Sequence, residues 1–286
     1  MMTAAKLTEM KPTDPGFPAY LQEKGKWIRL STLEIHKAAR ETRVASSLSN
    51  CEILAALYYG GVLRFDTKNQ YWEGRDRFVV SKGHGTISMY PVLGDLGFFP
   101  KAELKRVCQE GSILGGIPDP IIPGFETVNG SLGHGVGVAC GMAVALKKQK
   151  KAAQVFVLAG DGEMHEGAVW EAIMFAGHHK LDNYNMIIDR NTKCMLNSTE
   201  KVIDLEPLNG KFEQFGWHVE RVDGHNAHAV YTGAMKIREM HSNKPKVLIC
   251  DTLKGKGVPK LEETPFCHIV ALNEAEIDEA IARLKS

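Results

Sequence analysis

The chain predicts an α/β fold, a parallel sheet covered by helices on both faces, and three observations carry that prediction. Short apolar runs rich in β-formers recur near residues 78, 155, 186, 218 and 247, with the length of buried strands. Stretches with helical periodicity alternate with them, the pattern of a sheet with helices on either side. The segment from Gly160 to Asn191 then reads as one strand, crossover helix, strand unit, which makes its two strands parallel.

In chain order, residues 1–19 contain three prolines and no apolar core, so they are expected to form a loose arm ahead of one domain over 20–286. Helices are expected over roughly 20–42, 50–60, 85–97, 101–110, 134–149, 167–180, 226–241 and 273–285, the last opened by Asn273 as N-cap. The run Val155-Phe156-Val157-Leu158-Ala159 stops at Gly160-Asp161-Gly162, whose glycines permit a sharp turn. Val169, Ala172, Ile173, Phe175 and Ala176 then share a helix face, and Met186-Ile187-Ile188 gives the next strand. Lys147-Lys148-Gln149-Lys150-Lys151 suits the negative end of a helix dipole. Residues 192–212 and 251–272 are expected to be irregular loops.

Composition excludes several classes of function. The 35 basic and 34 acidic side chains leave a formal net charge of +1, which gives no electrostatic reason to expect nucleic acid or an anionic membrane. The six cysteines show no Cys-x-x-Cys pair and too low a density for a disulfide scaffold, so reduced thiols and a cytoplasmic location are the expectation. The first twenty residues do not read as a signal peptide, and no apolar run approaches membrane-spanning length.

The chemistry sits at the strand ends. Ligands of open α/β sheets bind beyond the carboxyl ends of the strands, and here those ends carry the Asp161 carboxylate and the Asn191 amide oxygen. Mg²⁺ takes one or two protein oxygens and completes its shell with phosphate oxygens and water. The Lys193 backbone carbonyl would add a ligand, and the Gly162 amide faces the same space. Gly-Asp-Gly by itself would be read as a turn; its order and spacing with Glu166-Gly167 and Asn191 give the segment its specificity.

That segment resembles the thiamine diphosphate motif of the transketolase superfamily. Gly-Asp-Gly-x-x-x-Glu-Gly followed by Trp170-Glu171-Ala172 is similar to transketolase rather than to the 2-oxo acid dehydrogenases. Three further stretches resemble the family in the same order: Asp76-Arg77-Phe78-Val79-Val80-Ser81-Lys82-Gly83-His84-Gly85, Gly130-Ser131-Leu132-Gly133-His134-Gly135, and Leu253-Lys254-Gly255-Lys256-Gly257-Val258 ahead of His268. The resemblance implies the thiamine diphosphate-binding fold. It also implies a cofactor site of His84, Gly130, Ser131, Leu132, Gly160, Asp161, Gly162, Glu163, Asn191 and His268, with Mg²⁺, or Ca²⁺ or Mn²⁺ in its place, on Asp161, Asn191 and Lys193. Glu166, His84 and His268 are the implied catalytic residues. A Glu at a helix start is often only a dipole partner, but the resemblance places Glu166 at a subunit interface, facing the acid that serves the cofactor pyrimidine.

A full transketolase carries three domains, and 286 residues have room only for the first. The chain therefore resembles the N-terminal half of a split transketolase. The resemblance implies a C-terminal subunit bearing the pyrimidine-binding domain, an α2β2 heterotetramer, and transfer of a two-carbon ketol or acyl unit from a ketose or 2-oxo acid donor to an aldehyde or ketone. Two family histidines are missing. Arg43 and Ile117 take their places, and the family usually has Gln at His134. Ile117 removes a hydrogen-bonding group where a sugar hydroxyl would lie, which would favour a methyl-bearing donor such as pyruvate. Arg43 suits a carboxylate or phosphate, or else it pairs with a local acid while His134 supplies the lost contact. A non-catalytic subunit that keeps the fold is the remaining alternative.

Overall fold

The computed structural model describes residues 10–285. Strands β1 (Arg77–Val80), β2 (Val155–Gly160), β3 (Tyr184–Arg190), β4 (His218–Asp223) and β5 (Lys246–Asp251) form one sheet in the order β1-β2-β3-β5-β4, every pair parallel. The helices in chain order are α1 (Phe17–Ala38), α2 (Val44–Leu48), α3 (Cys51–Leu54), α4 (Met89–Leu96), α5 (His134–Lys148), α6 (Gly167–His178), α7 (Thr199–Val202), α8 (Leu208–Gln214), α9 (Ala227–Glu239), α10 (Pro259–Glu263) and α11 (Glu274–Lys285).

Alternation along the strands builds two cores. Phe78, Val80, Phe156, Leu158, Ile187 and Leu248 face α1, α3, α4 and α9, whereas Val79, Val155, Val157, Met186, Ile188, Val247 and Ile249 face α5, α6 and α8. Both faces of the sheet are thus covered. A smaller cluster of Leu33, Leu48, Val258, Leu261, Leu272 and Ile277 fixes α2, α10 and α11 beside the carboxyl ends of the strands.

Several boundaries differ from expectation for local reasons. Helix α1 begins at Phe17, which is fully buried, with Pro18 in its first turn, so the last residues of the expected arm belong to the domain; residues 1–9 of that arm lie outside the described residues. The expected helix over 101–110 is a 3₁₀ segment, Lys101–Arg106, that buries no side chain. Residues 192–212 are not wholly irregular: Leu208 and Phe212, one turn apart, are buried and pin α8 to the sheet. The 251–272 stretch likewise contains α10. Asn273 does cap α11, accepting from Glu276 N at 3.0 Å while Glu276 Oε2 accepts from Asn273 N at 2.8 Å.

Candidate active site

Because the strands are parallel, the loops that follow β1, β2, β3 and β5 emerge on one side. They bring Lys82 and His84, Asp161 and Gly162, Asn191 and Lys193, and Lys254 to a single cavity of about 460 Å³. Arg43 and Ser46, from the start of α2, and His268, from the loop before α11, close its wall.

Gly160 pairs with Asp189 across the sheet, so Asp161 lies opposite Arg190 and next to Asn191. Asp161 is fully buried. Its Oδ1 accepts from Gly162 N at 2.9 Å, and its Oδ2 accepts from Arg190 Nη1 at 2.9 Å and Thr192 N at 2.6 Å. Burial, followed by the nearby Asp189 charge, raises its pKa against the pull of Arg190. Asn191 Nδ2 donates to Asp189 O at 3.3 Å, which fixes which end of the amide is oxygen, and that oxygen accepts from Lys193 N at 3.2 Å. Lys193 turns its ammonium away to the carbonyls of Glu262 and Thr264, while its own carbonyl accepts from Lys254 Nζ at 3.0 Å.

This donor set fits a hard cation shared with phosphate. Asp161 offers a carboxylate, Asn191 an amide oxygen and Lys193 a carbonyl to the cavity, and that carbonyl already holds a positive group. No group of three or more His, Cys, Asp or Glu side chains suited to a metal occurs among the described residues, so phosphate oxygens and water would have to complete the shell. Two buried polar atoms of the wall, Ser46 Oγ and His268 Nδ1, have no hydrogen-bond partner, which points to a polar ligand.

The histidines expected at the cofactor are together. The His84 and His268 rings meet edge to face, their centroids 4.8 Å apart. Burial, then Lys82, lowers the His84 pKa well below the ordinary histidine value; burial, then Lys254 and Arg43, lowers that of His268 to about 4. Both rings are neutral at neutral pH. Gly130 and Leu132 also line the cavity, and Ser131 is exposed beside it.

Glu166 is the N-cap of α6 rather than a residue inside it. It is exposed at the cavity wall, and its carboxylate makes no capping hydrogen bond. Glu163 also lines the cavity, and its carboxylate accepts from three protein donors, Ser81 Oγ, Gly133 N and Gly160 N. Arg43 is exposed at the cavity and has no acidic partner among the described residues, so the local pairing is not formed. His134 is exposed at the start of α5, outside the cavity lining, with Nδ1 3.2 Å from Leu132 O. Ile117 is 43% exposed and stands outside the cavity lining, its Cδ1 3.6 Å from where a Cβ on Gly130 would be.

Lys82 and Asp189 were missed by sequence reasoning. Their buried ion pair spans the ends of β1 and β3, and Asp189 also accepts from Ser49 Oγ at 2.6 Å and from Thr252 Oγ1. Arg190, also missed, binds Asp161, Thr199, Glu200 and Glu206 at once. The available signal was an Asp-Arg pair closing a strand whose centre, Met186-Ile187-Ile188, is apolar.

The chain as a whole is similar to known proteins. Residues 22–285 match the family model for "Transketolase, thiamine diphosphate binding domain". The chain is 36% identical over 266 residues to the 6-deoxy-6-sulfo-D-fructose transketolase subunit of Clostridium sp. (strain MSTE9), covering 93% of this chain and 96% of that one. It is 36% identical over 253 residues to one subunit of the apulose-4-phosphate transketolase of Phocaeicola vulgatus, covering 88% and 89%. The solved transketolase of Campylobacter jejuni superimposes with a TM-score of 0.86 at 30% identity, covering 93% of this chain and 43% of that chain. The chain thus spans less than half of the solved transketolase but nearly the whole of relatives named as subunits.

Proposed function

This chain belongs to the transketolase family, and we propose that, with a partner subunit, it transfers a two-carbon ketol unit from an anionic ketose to an aldehyde, holding thiamine diphosphate through a divalent cation. The observation that carries the proposal is the placement of the Asp161 carboxylate, the Asn191 amide oxygen and the Lys193 carbonyl in one cavity. Asp161, Asn191 and Lys193 would hold the cation, and His84, Gly130, Leu132, Gly162 and Lys254 would surround the diphosphate. When bound, the cofactor supplies the electron sink for breaking a carbon–carbon bond beside a carbonyl.

The chain's own residues do the rest. Neutral His84 and His268 each have a ring nitrogen able to accept a hydrogen bond from a substrate hydroxyl. Glu166, exposed and uncapped, is free to meet an acid of a partner. The pyrimidine side would come from a C-terminal subunit, and two copies of each chain would form an α2β2 assembly with sites at the interfaces.

Ketol transfer is favoured over pyruvate use, because Ile117 lies outside the cavity wall and supplies no methyl pocket there. The relatives are named for a sulfo sugar and a phosphorylated sugar. Arg43, without an acid partner, suits such an anionic end. A non-catalytic role is disfavoured, since a chain freed from cofactor binding has no physical need for Asp161 and Asn191 together with two unpartnered polar atoms in the wall.

The test is to measure bound thiamine diphosphate and ketol transfer between phosphorylated sugars after co-expressing the chain with a C-terminal transketolase subunit. Stoichiometric cofactor and transfer that requires both chains are expected. A folded complex that binds no cofactor, or full activity from this chain alone, refutes the proposal.

A further inference from the structure

The Glu163 side chain is 1% exposed and belongs to the turn that carries Asp161. Three donors from three different segments converge on it. Ser81 Oγ, just after β1, donates to Oε1 at 2.7 Å; Gly133 N, at the entry to α5, donates to the same oxygen at 2.8 Å; Gly160 N, ending β2, donates to Oε2 at 2.9 Å.

The surroundings leave this junction no slack. Gly133 has φ +81° and a Cβ there would come within 3.0 Å of Glu166 Cβ, while a Cβ on Gly135 would approach Ser81 Cα to 2.7 Å. The first turn of α5 is thus pressed onto the end of β1, and the carboxylate meets its free amide at the positive end of the helix dipole.

We propose that Glu163 is a positioning residue whose carboxylate fixes the Gly130–Gly133 loop and the Asp161 turn against each other, and so sets cofactor affinity through them. The proposal rests on the function given above for the site. A carboxylate is suited to the task because it accepts from all three donors; a glutamine of the same shape would turn one acceptor into a donor facing another donor.

The experiment uses the co-purified two-subunit complex with Glu163→Gln and Ser81→Ala. Hydrogen exchange without cofactor is read by mass spectrometry, thiamine diphosphate affinity by calorimetry in Mg²⁺, and turnover as a function of cofactor concentration. Exchange should rise in peptides covering 130–137 and 160–165 and not elsewhere, affinity should fall tenfold or more in Glu163→Gln, and the apparent KM for cofactor should rise at least fivefold more than kcat falls. Ser81→Ala, which loses one bond and keeps two, should lie between and carries the test if Glu163→Gln does not fold. Unchanged exchange and affinity in a folded variant would overturn the proposal. So would evenly raised exchange throughout the chain, the mark of a purely structural residue, or a fall in kcat as large as the rise in KM. If the unaltered complex binds no cofactor, the proposed function fails, and the exchange pattern still reports separately on the junction.

Discussion

Replacing Asp161 by Ala removes the one carboxylate from the proposed cation site and strips three donors of their acceptor at once. The two consequences have different sizes. A buried ion pair broken from one side costs about 3 to 5 kcal/mol, but Arg190 keeps Glu200 and Glu206 as counter-charges, and Thr192, itself exposed, can return its amide to water. The stability loss should therefore be about 2 to 4 kcal/mol, which leaves a folded chain. Cation and diphosphate binding should suffer more, because Asn191 and Lys193 offer only neutral oxygens; a loss of at least 100-fold, about 2.7 kcal/mol, is expected. Asp161→Asn keeps the shape and one oxygen, so it should fall between Ala and the parent and separate charge from geometry. Calorimetric titration of Mg²⁺ and thiamine diphosphate into the two-subunit complex reads the affinity, and thermal melting without cofactor reads the fold. A folded Asp161→Ala complex with affinity within threefold of the parent would refute the cation assignment.

Four further outcomes are expected. Lys82→Met leaves Asp189 buried with only hydroxyl donors and should cost about 3 kcal/mol in urea unfolding, with Asp189→Asn added to it recovering more than half. His36 and His268 both have pKa values lowered from 6.5 to about 4, chiefly by burial. As pH falls from about 6.5 to 4 the unfolded chain therefore takes up protons that the folded chain refuses, so the melting temperature should drop across that window, and less so in His36→Asn. Gly177→Ala would place a Cβ 1.9 Å from the Phe215 carbonyl oxygen and should destabilise by about 3 kcal/mol or more, whereas Gly137→Ala, also helical but with nothing within 4 Å, should be neutral or stabilising in melts of this chain. Arg43→Gln should raise the KM for a phosphorylated sugar about tenfold, the worth of one charge-assisted hydrogen bond, and leave that for an uncharged sugar within twofold; equal effects on both would remove the anion contact.

The ends of the strands were legible in the sequence because one physical rule governs them. An apolar run that stops at Gly-Asp-Gly must turn at the edge of the core, and a parallel partner ending at Asn191 puts a second oxygen beside the first. α8 was obscured among the polar residues of 192–212, although Leu208 and Phe212 stand at helical spacing. The 3₁₀ segment Lys101–Arg106 failed in the opposite sense: good helix formers without a buried face did not make an α-helix.

The charges could not be assigned in that way, because the atom each one meets is set by another element. Asp161 and Glu163 stand two residues apart in one turn, both buried acids at the same cavity, yet the carboxylate of one meets Arg190 and two backbone amides and that of the other meets a serine and two different amides. The same distinction separates the cavity's cations. Lys82 is held by Asp189, Lys193 and Lys254 by carbonyls, and Arg43, outside the packed strand ends, by no acid among the described residues. A guanidinium without a counter-charge gains most from an anion brought by a ligand. The spacing of the sequence picks out the atoms proposed to grip the cofactor, whereas the pairing of charges in the fold leaves Arg43, exposed at the cavity without an acid among the described residues, as a cation proposed for an anionic substrate.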